Sequence, residues 1–136
     1  MDNIQTNTKQ GIVRLPSANL SGKNGLLAKL TSTGLDLPAA LTDDTPYVVV
    51  DGGEAESSAM PLNRGEQVRV FVKGTCAMGD LLCAADPSTA ADKGKLRKLP
   101  TTAGTYAVLA IAEEAGVDGQ AVLVRAYNKS VTVASS

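Results

Sequence analysis

The chain contains no histidine and no tryptophan, and its aromatic content is one phenylalanine and three tyrosines. Histidine is the side chain most often used as a general base near neutral pH, so a Ser-His-Asp or Cys-His arrangement is excluded within this chain. A zinc site would have to use unusual ligands. The scarcity of aromatics leaves a core of Val, Leu, Ile and Ala, with few large anchors and little from which to build a sugar-stacking platform. The net charge is −1, too small to draw in nucleic acid or anionic lipid through a strong field. No run approaches the ~18 apolar residues of a membrane-spanning helix. The N-terminal MDNIQTNTKQ has neither the basic start nor the apolar run of a signal peptide, which predicts synthesis in a cytoplasm without export by that route.

What chemistry-bearing residues there are lack the arrangements that chemistry needs. Cys76 and Cys83 follow no metal or redox spacing, and two free thiols in a reducing compartment are expected. A disulfide between them would need a hairpin that brings their Cα atoms within about 7 Å. Carboxylates such as Asp80 near Cys76 would raise a thiol's pKa, which argues against a nucleophile there. The doublets Asp43-Asp44 and Glu113-Glu114 place neighbours on opposite faces of a strand, so neither forms a facing acid–base pair by itself. They are expected to be solvated turn and strand-end charges, and calcium-loop spacing is absent. Asp51-Gly52-Gly53-Glu54 flanks its glycines with acid that would repel phosphate, and Ser21-Gly22-Lys23-Asn24-Gly25 lacks the Walker pattern; both predict turns. The one local positive cluster, Lys93, Lys95, Arg97 and Lys98, has no aromatic neighbours for base stacking. It predicts a solvated edge strand guarded by charge, with an acidic partner surface as the alternative. No cofactor, metal or catalytic residue is expected, and the protein is expected not to be an enzyme.

The chain has 136 residues, enough for one domain and an extra arm. Residues 1–25 are rich in Asn, Thr, Ser, Gly and Lys, with Ile4, Ile12, Val13, Leu15 and Leu20 scattered among them. Such a segment gains little from its own ordering, which predicts an extended N-terminal arm over 1–25 and a body over 26–136. Lys9, Arg14 and Lys23 against Asp2 make that arm weakly basic beside a weakly acidic stretch at 26–75. Thereafter short apolar runs alternate with Gly, Pro and Asp clusters. They predict strands at about 26–31, 46–51, 55–62, 66–73, 80–84, 95–99, 106–113, 120–127 and 130–133. In Gln67-Val68-Arg69-Val70-Phe71-Val72-Lys73 the valines share one face and Phe71 shares the other with the charges. That ring needs a second layer or a partner to cover it. The run 106–112 is apolar on both faces and, with 121–126, predicts a central strand pair around a Gly116/Gly119 loop. One helical turn is expected after Asp86-Pro87, with Asp86 as its cap. Short strands with turn signals every 8–12 residues predict a mainly β chain, a barrel or a sandwich, and no internal repeat stands out.

Two segments carry a resemblance. Gly74-Thr75-Cys76-Ala77-Met78-Gly79-Asp80-Leu81-Leu82 resembles the G-x-x-x-x-G-D-x-L turn and strand of the small capsid decoration, or cement, proteins of tailed bacteriophages. Residues 110–124, from Ala110-Ile111-Ala112-Glu113-Glu114 to Val122-Leu123-Val124, resemble that family's A-x-A-x-E-x-A-x-x-G-x-x-V-x-V block. Val50-Asp51-Gly52-Gly53 and Pro61-Leu62-Asn63-Arg64-Gly65 fit the same layout, so the resemblance spans about residues 26–133. Cys76 and the long polar arm are not matched to the family. The resemblance implies a small antiparallel β-barrel or β-tulip-like domain, assembled as a homotrimer on the outer surface of the virion at three-fold or quasi-three-fold positions. Its partner there is the major capsid protein, whose neighbouring subunits it clamps.

Within that expectation Ile4, Lys9, Ile12, Val13, Arg14 and Leu15 are the candidate capsid contacts, ordered by binding several subunits at once. Phe71, Tyr106 and Val108 are candidates for a subunit interface, with intramolecular core as the competing assignment. Nucleic acid, membrane and small-molecule partners are not expected. Other classes stay open: a receptor- or carbohydrate-binding β-module of a phage fibre or spike, a lipoyl- or biotin-type carrier using Lys73 or Lys93, and an enzyme working with carboxylates and lysines alone.

Overall fold

The structure, a computed structural model, describes residues 11–134. Ten strands follow in chain order: β1 (Val13–Pro16), β2 (Leu27–Thr31), β3 (Gly34–Asp36), β4 (Tyr47–Asp51), β5 (Glu56–Pro61), β6 (Gln67–Lys73), β7 (Leu81–Ala84), β8 (Leu96–Lys98), β9 (Gly104–Ala112) and β10 (Ala121–Val133). The protein is mainly β, as its turn spacing predicts. The last five strands close into a barrel in the order β10-β6-β8-β7-β9, and the first five form a sheet in the order β1-β5-β4-β2-β3. All pairings are antiparallel except β6 with β8. The first sheet also curls back on itself, because Ser17 bridges Leu35 and the Ala18 N–H donates to the Leu35 carbonyl at 2.9 Å.

Period-two alternation sorts the side chains. Val70 and Val72 of β6, Leu82 of β7, Leu96 of β8, Ala110 and Ala112 of β9, and Val122, Val124 and Ala126 of β10 fill the barrel. Arg69, Phe71 and Lys73 lie on its outer face, as the valine spacing of β6 predicts. Alternation along β2 and β4 joins the two halves. Leu27 and Val48 belong to the barrel core, while their neighbours Ala28 and Val49 belong to a second core with Leu20, Leu35 and Ala59. Each fully buried Leu or Val contributes about 1.5–3 kcal/mol relative to exposure, so both cores gain from the same two strands.

Four expectations change. Of the segment 1–25, residues 1–10 lie outside the described part, but 11–25 belong to the body. β1 pairs with β5 from Val13↔Ala59 to Pro16↔Glu56, Leu15 packs on the second core, and Leu20 is 1% exposed within it. Second, β8 is no edge strand: it sits between β6 and β7, so its charges project from an interior strand of the barrel. Third, 121–127 and 130–133 are one strand. β10 runs on through an irregularity at Asn128 (φ 53°), whose side-chain amide is tied to the Leu62 carbonyl at 2.8 Å. Fourth, the helical turn lies at Ala90–Asp92 with Thr89 at its cap position, while the Asp86 carboxylate accepts the Ser88 N–H at 2.9 Å.

Candidate functional site

The two segments that carry the sequence resemblance meet in one place. Residues 74–80 link β6 to β7, and residues 113–120 link β9 to β10. They are joined by a reciprocal bridge in which the Cys76 N–H donates to the Gly116 carbonyl and the Gly116 N–H to the Cys76 carbonyl, both at 3.0 Å. The bonds that close the two loops repeat at an offset of 40 residues. Gly79 N–H donates to Ala112 O as Gly119 N–H donates to Val72 O, each at 2.8 Å; Asp80 N–H reaches Ala77 O as Gln120 N–H reaches Val117 O, each at 3.1 Å. Side chains follow the same rule: Asp80 accepts the Ala77 N–H at 2.8 Å and Gln120 accepts the Val117 N–H at 3.1 Å. The strand registers agree, with Leu81↔Ile111 matching Ala121↔Phe71 and Leu82↔Ala110 matching Val122↔Val70. Gly79 and Gly119 both take the left-handed backbone (φ 91° and 81°) that glycine adopts without steric penalty. The arrangement is a local two-fold joint between two copies of a strand–loop–strand unit.

This internal repeat is missing from the sequence because aligning 66–85 with 106–125 leaves only Val68/Val108 and Gly79/Gly119 identical. What repeats is backbone geometry. At its centre Gly116 is fixed by packing, since a Cβ there would run into the Val122 methyl. Asp80 and Gln120 supply the same carbonyl-type acceptor to their loops. Asp80→Asn is therefore expected to cost under about 1 kcal/mol, and Asp80→Ala about 1–2 kcal/mol, because only the latter leaves the Ala77 N–H without its acceptor. Chemical denaturation of the two variants checks this; equal losses would contradict it. The loops of the joint expose Met78 (72%) and Val117 (61%), a small apolar tip.

The carboxylates are spent on structure. Glu114 accepts the Leu123 N–H at 3.0 Å and pairs with Arg69 at 2.6 Å, while Glu113 takes Gln67 at 2.7 Å and Arg125 at 2.9 Å. Asp43 caps the Ala39 and Ala40 N–H groups at 2.7 and 3.0 Å and pairs with Lys29 at 3.1 Å. In the basic cluster Lys98 pairs with Asp80 at 3.7 Å, and the nearby Lys73 with Asp92 at 2.6 Å. Cys76 and Cys83 are free and buried, and burial pushes both thiols up in pKa. Among the described residues no group of three or more Cys, Asp or Glu converges as a metal site.

These contacts set the acid limit. Hydrogen bonds from Ala39 and Ala40, then Lys29, hold Asp43 below its ordinary 3.8, and the Ser88 N–H does the same for Asp86. Gln67 and Arg125 lower Glu113, and the Leu123 N–H and Arg69 lower Glu114, from an ordinary 4.5. A carboxylate lowered in the folded state stabilises it above the unfolded pKa and loses that contribution as pH falls through the folded value. With no histidine, the melting temperature is expected to be flat between about pH 5.5 and 8 and to fall below about pH 4.5. Circular-dichroism melts across pH check this, and a step near pH 6–7 would contradict it.

The individual contact residues are distributed unevenly. Ile4 and Lys9 lie outside the described residues. Ile12 is 56% exposed; Arg14 faces outward, bonded to Glu56 at 3.2 Å and Ser58 at 3.1 Å; Val13 is half-buried and Leu15 faces the second core. Phe71 is covered by the chain's own second layer: its N–H donates to the Gly25 carbonyl at 3.0 Å, and a Cβ on Gly25 would lie 2.9 Å from the ring. Val108, put forward as an interface residue, is fully buried (0% exposed) within the chain, because the inward face of β9 carries it with Ala110 and Ala112. Tyr106 is half-buried with its hydroxyl on the Thr102 carbonyl at 2.9 Å.

Tyr106 also lines a groove of about 450 Å³ between the outer face of β7–β9 and the 41–45 loop, with Leu41, Ala84, Arg97 and Leu109 in its walls. A smaller hollow of about 270 Å³ continues it past Thr45 and Leu109 to Pro46, Leu62 and Asn128. Four separate stretches (41–45, 83–84, Arg97 and 105–109) build this groove, so no local sequence pattern announces it. Comparison with protein-family models, curated proteins and solved structures finds no match for this chain.

Proposed function

We propose that this chain is a structural virion protein that decorates the outer surface of a tailed-phage capsid and stabilises contacts between major capsid protein subunits as a homotrimer at three-fold or quasi-three-fold positions. The observation that carries this reading is the joint. The two sequence blocks that resemble capsid decoration proteins pack against each other as paired copies of one loop and present Met78 and Val117 to solvent. Hydrogen bonds and ion pairs hold the neighbouring Glu113, Glu114 and Asp80, which fits a rigid contact surface better than a reacting one. On this reading the protein is not an enzyme, and it is made in the host cytoplasm and carried on the particle. Tyr106 stands at an open strand edge and serves the trimer contact. Ile12 and Arg14, with Ile4 and Lys9, face the shell.

Mixing the purified protein with expanded and unexpanded capsid shells tests it. Saturable co-sedimentation at a fixed number of copies per expanded shell is expected. Binding to tails or fibres alone, with none to shells, would favour a fibre or spike module instead.

A further inference from the structure

The groove on the outer face of β7–β9 holds polar atoms that its own chain leaves without partners. Thr45 is 4% exposed and lines both hollows, yet among the described residues its hydroxyl makes no hydrogen bond. Arg97, half-buried in the groove wall, has no ion pair among those residues, and its Nε is buried without an acceptor. Buried polar groups left unmet are costly, and native folds keep few of them. Around these atoms Leu41, Ala84 and Leu109 form apolar walls. An apolar hollow with a few unmet polar groups has the character of a binding site. What this one lacks is a carboxylate carried beside apolar side chains. Asp44, the groove's other unpaired charge, is exposed on its loop and stays hydrated.

The joint carries that combination. Met78 and Val117 are the two most exposed large apolar side chains among the described residues. Asp118, next to Val117, is exposed too and has no ion pair among those residues. One of its carboxylate oxygens accepts the Gly74 N–H at 2.7 Å, which fixes the charge beside the apolar tip. Tip and groove do not meet within one copy. The bond from Gly79 N–H to Ala112 O holds the tip beyond the end of β9, whereas the groove flanks residues 105–109 on the barrel's outer face. A contact between two such different patches is heterologous, and repeating it by rotation closes a ring. Methionine, unbranched and adaptable, suits an irregular hollow. We infer that the joint tip of one copy docks in the groove of the next, with Met78 and Val117 against Leu41, Ala84 and Leu109 and with Asp118 toward Arg97. The inference rests on the trimer proposed above and names its contact; Tyr106 belongs to the same contact, and Ile12 and Arg14 remain for the shell.

Sedimentation velocity and methyl chemical shifts of the full chain, free of shells and over a range of concentrations, test the contact separately from capsid binding. A trimer is expected, and as it forms the Met78 methyl should shift together with those of Leu41 and Leu109. Asp118→Asn keeps an acceptor for the Gly74 N–H and removes only the charge, so it should weaken assembly several-fold without changing the fold. Met78→Asp, at an exposed position, should raise the concentration for half-assembly about tenfold or more. Asp118→Lys should block assembly, and Arg97→Glu in the same chain should restore it. A trimer that Asp118→Asn, Met78→Asp and Asp118→Lys all leave unchanged would overturn this contact while the trimer itself stood. Shifts at Met78 and Val117 without Leu41 and Leu109 would overturn it too, by placing tip against tip. Monomer at every concentration would overturn it as well, and the decoration reading would then stand or fall on co-sedimentation with shells.

Discussion

Gly34→Ala is expected to cost the protein about 4 kcal/mol or more, enough to remove most of the stability of an ordinary domain. Gly34 holds a backbone with φ of 137°, and a Cβ built there falls onto the Pro16 carbonyl, well inside contact distance, with the Ser17 nitrogen close behind. All of these are backbone atoms of the strand that closes the first sheet, so no side chain can swing aside. Relief requires β1 to separate from β3, which breaks the Ser17–Leu35 bridge and opens the second core around Leu20 and Leu35. Gly65→Ala is the control. Gly65 also has positive φ (90°), but open space surrounds its Cβ position, so only the backbone preference is lost, about 1–2 kcal/mol. Urea denaturation of the pair separates the two causes, and equal losses would show that the approach of β1 to β3 is not tight.

Deletion of residues 1–20 is expected to unfold the first sheet, whereas deletion of residues 1–10 leaves the described body intact. The longer deletion removes β1, the Leu15 contact, Leu20 from the second core, and the Ser17–Ser57 hydroxyl bond at 2.7 Å. Losing a fully buried leucine alone costs about 2–5 kcal/mol. The deletion also bares the edge of β5, a strand then open to intermolecular pairing. A large fall in melting temperature with aggregation is expected for the longer deletion, and little change for the shorter. If both melted alike, residues 11–20 would be an arm after all. A test of capsid contact by truncation must therefore stop at residue 10.

Much of the fold is legible in the sequence because period-two alternation is local. Val68, Val70 and Val72 announce β6, and Val122 and Val124 announce β10. β1 and β3 escape notice for physical reasons. Pro16 and the polar composition of the surrounding 1–25 segment make Val13 and Leu15 look like part of a linker until β5 supplies the pairing, and β3 has only three residues. The place of β8 between two strands is a matter of topology: a parallel crossover leaves no mark on Leu96, Arg97 and Lys98 themselves. The joint and the groove were harder still. One rests mainly on backbone bonds, the other on Leu41, Ala84, Arg97 and Leu109 meeting from separate stretches.

The central proposal, that the protein clamps the outside of a capsid, is tested most directly by electron cryomicroscopy of the intact particle that carries it. Protruding density matching the two-layer β body is expected at three-fold or quasi-three-fold positions, in contact with more than one capsid subunit. Density for this chain only at the tail or fibres, with bare three-fold positions, would contradict it.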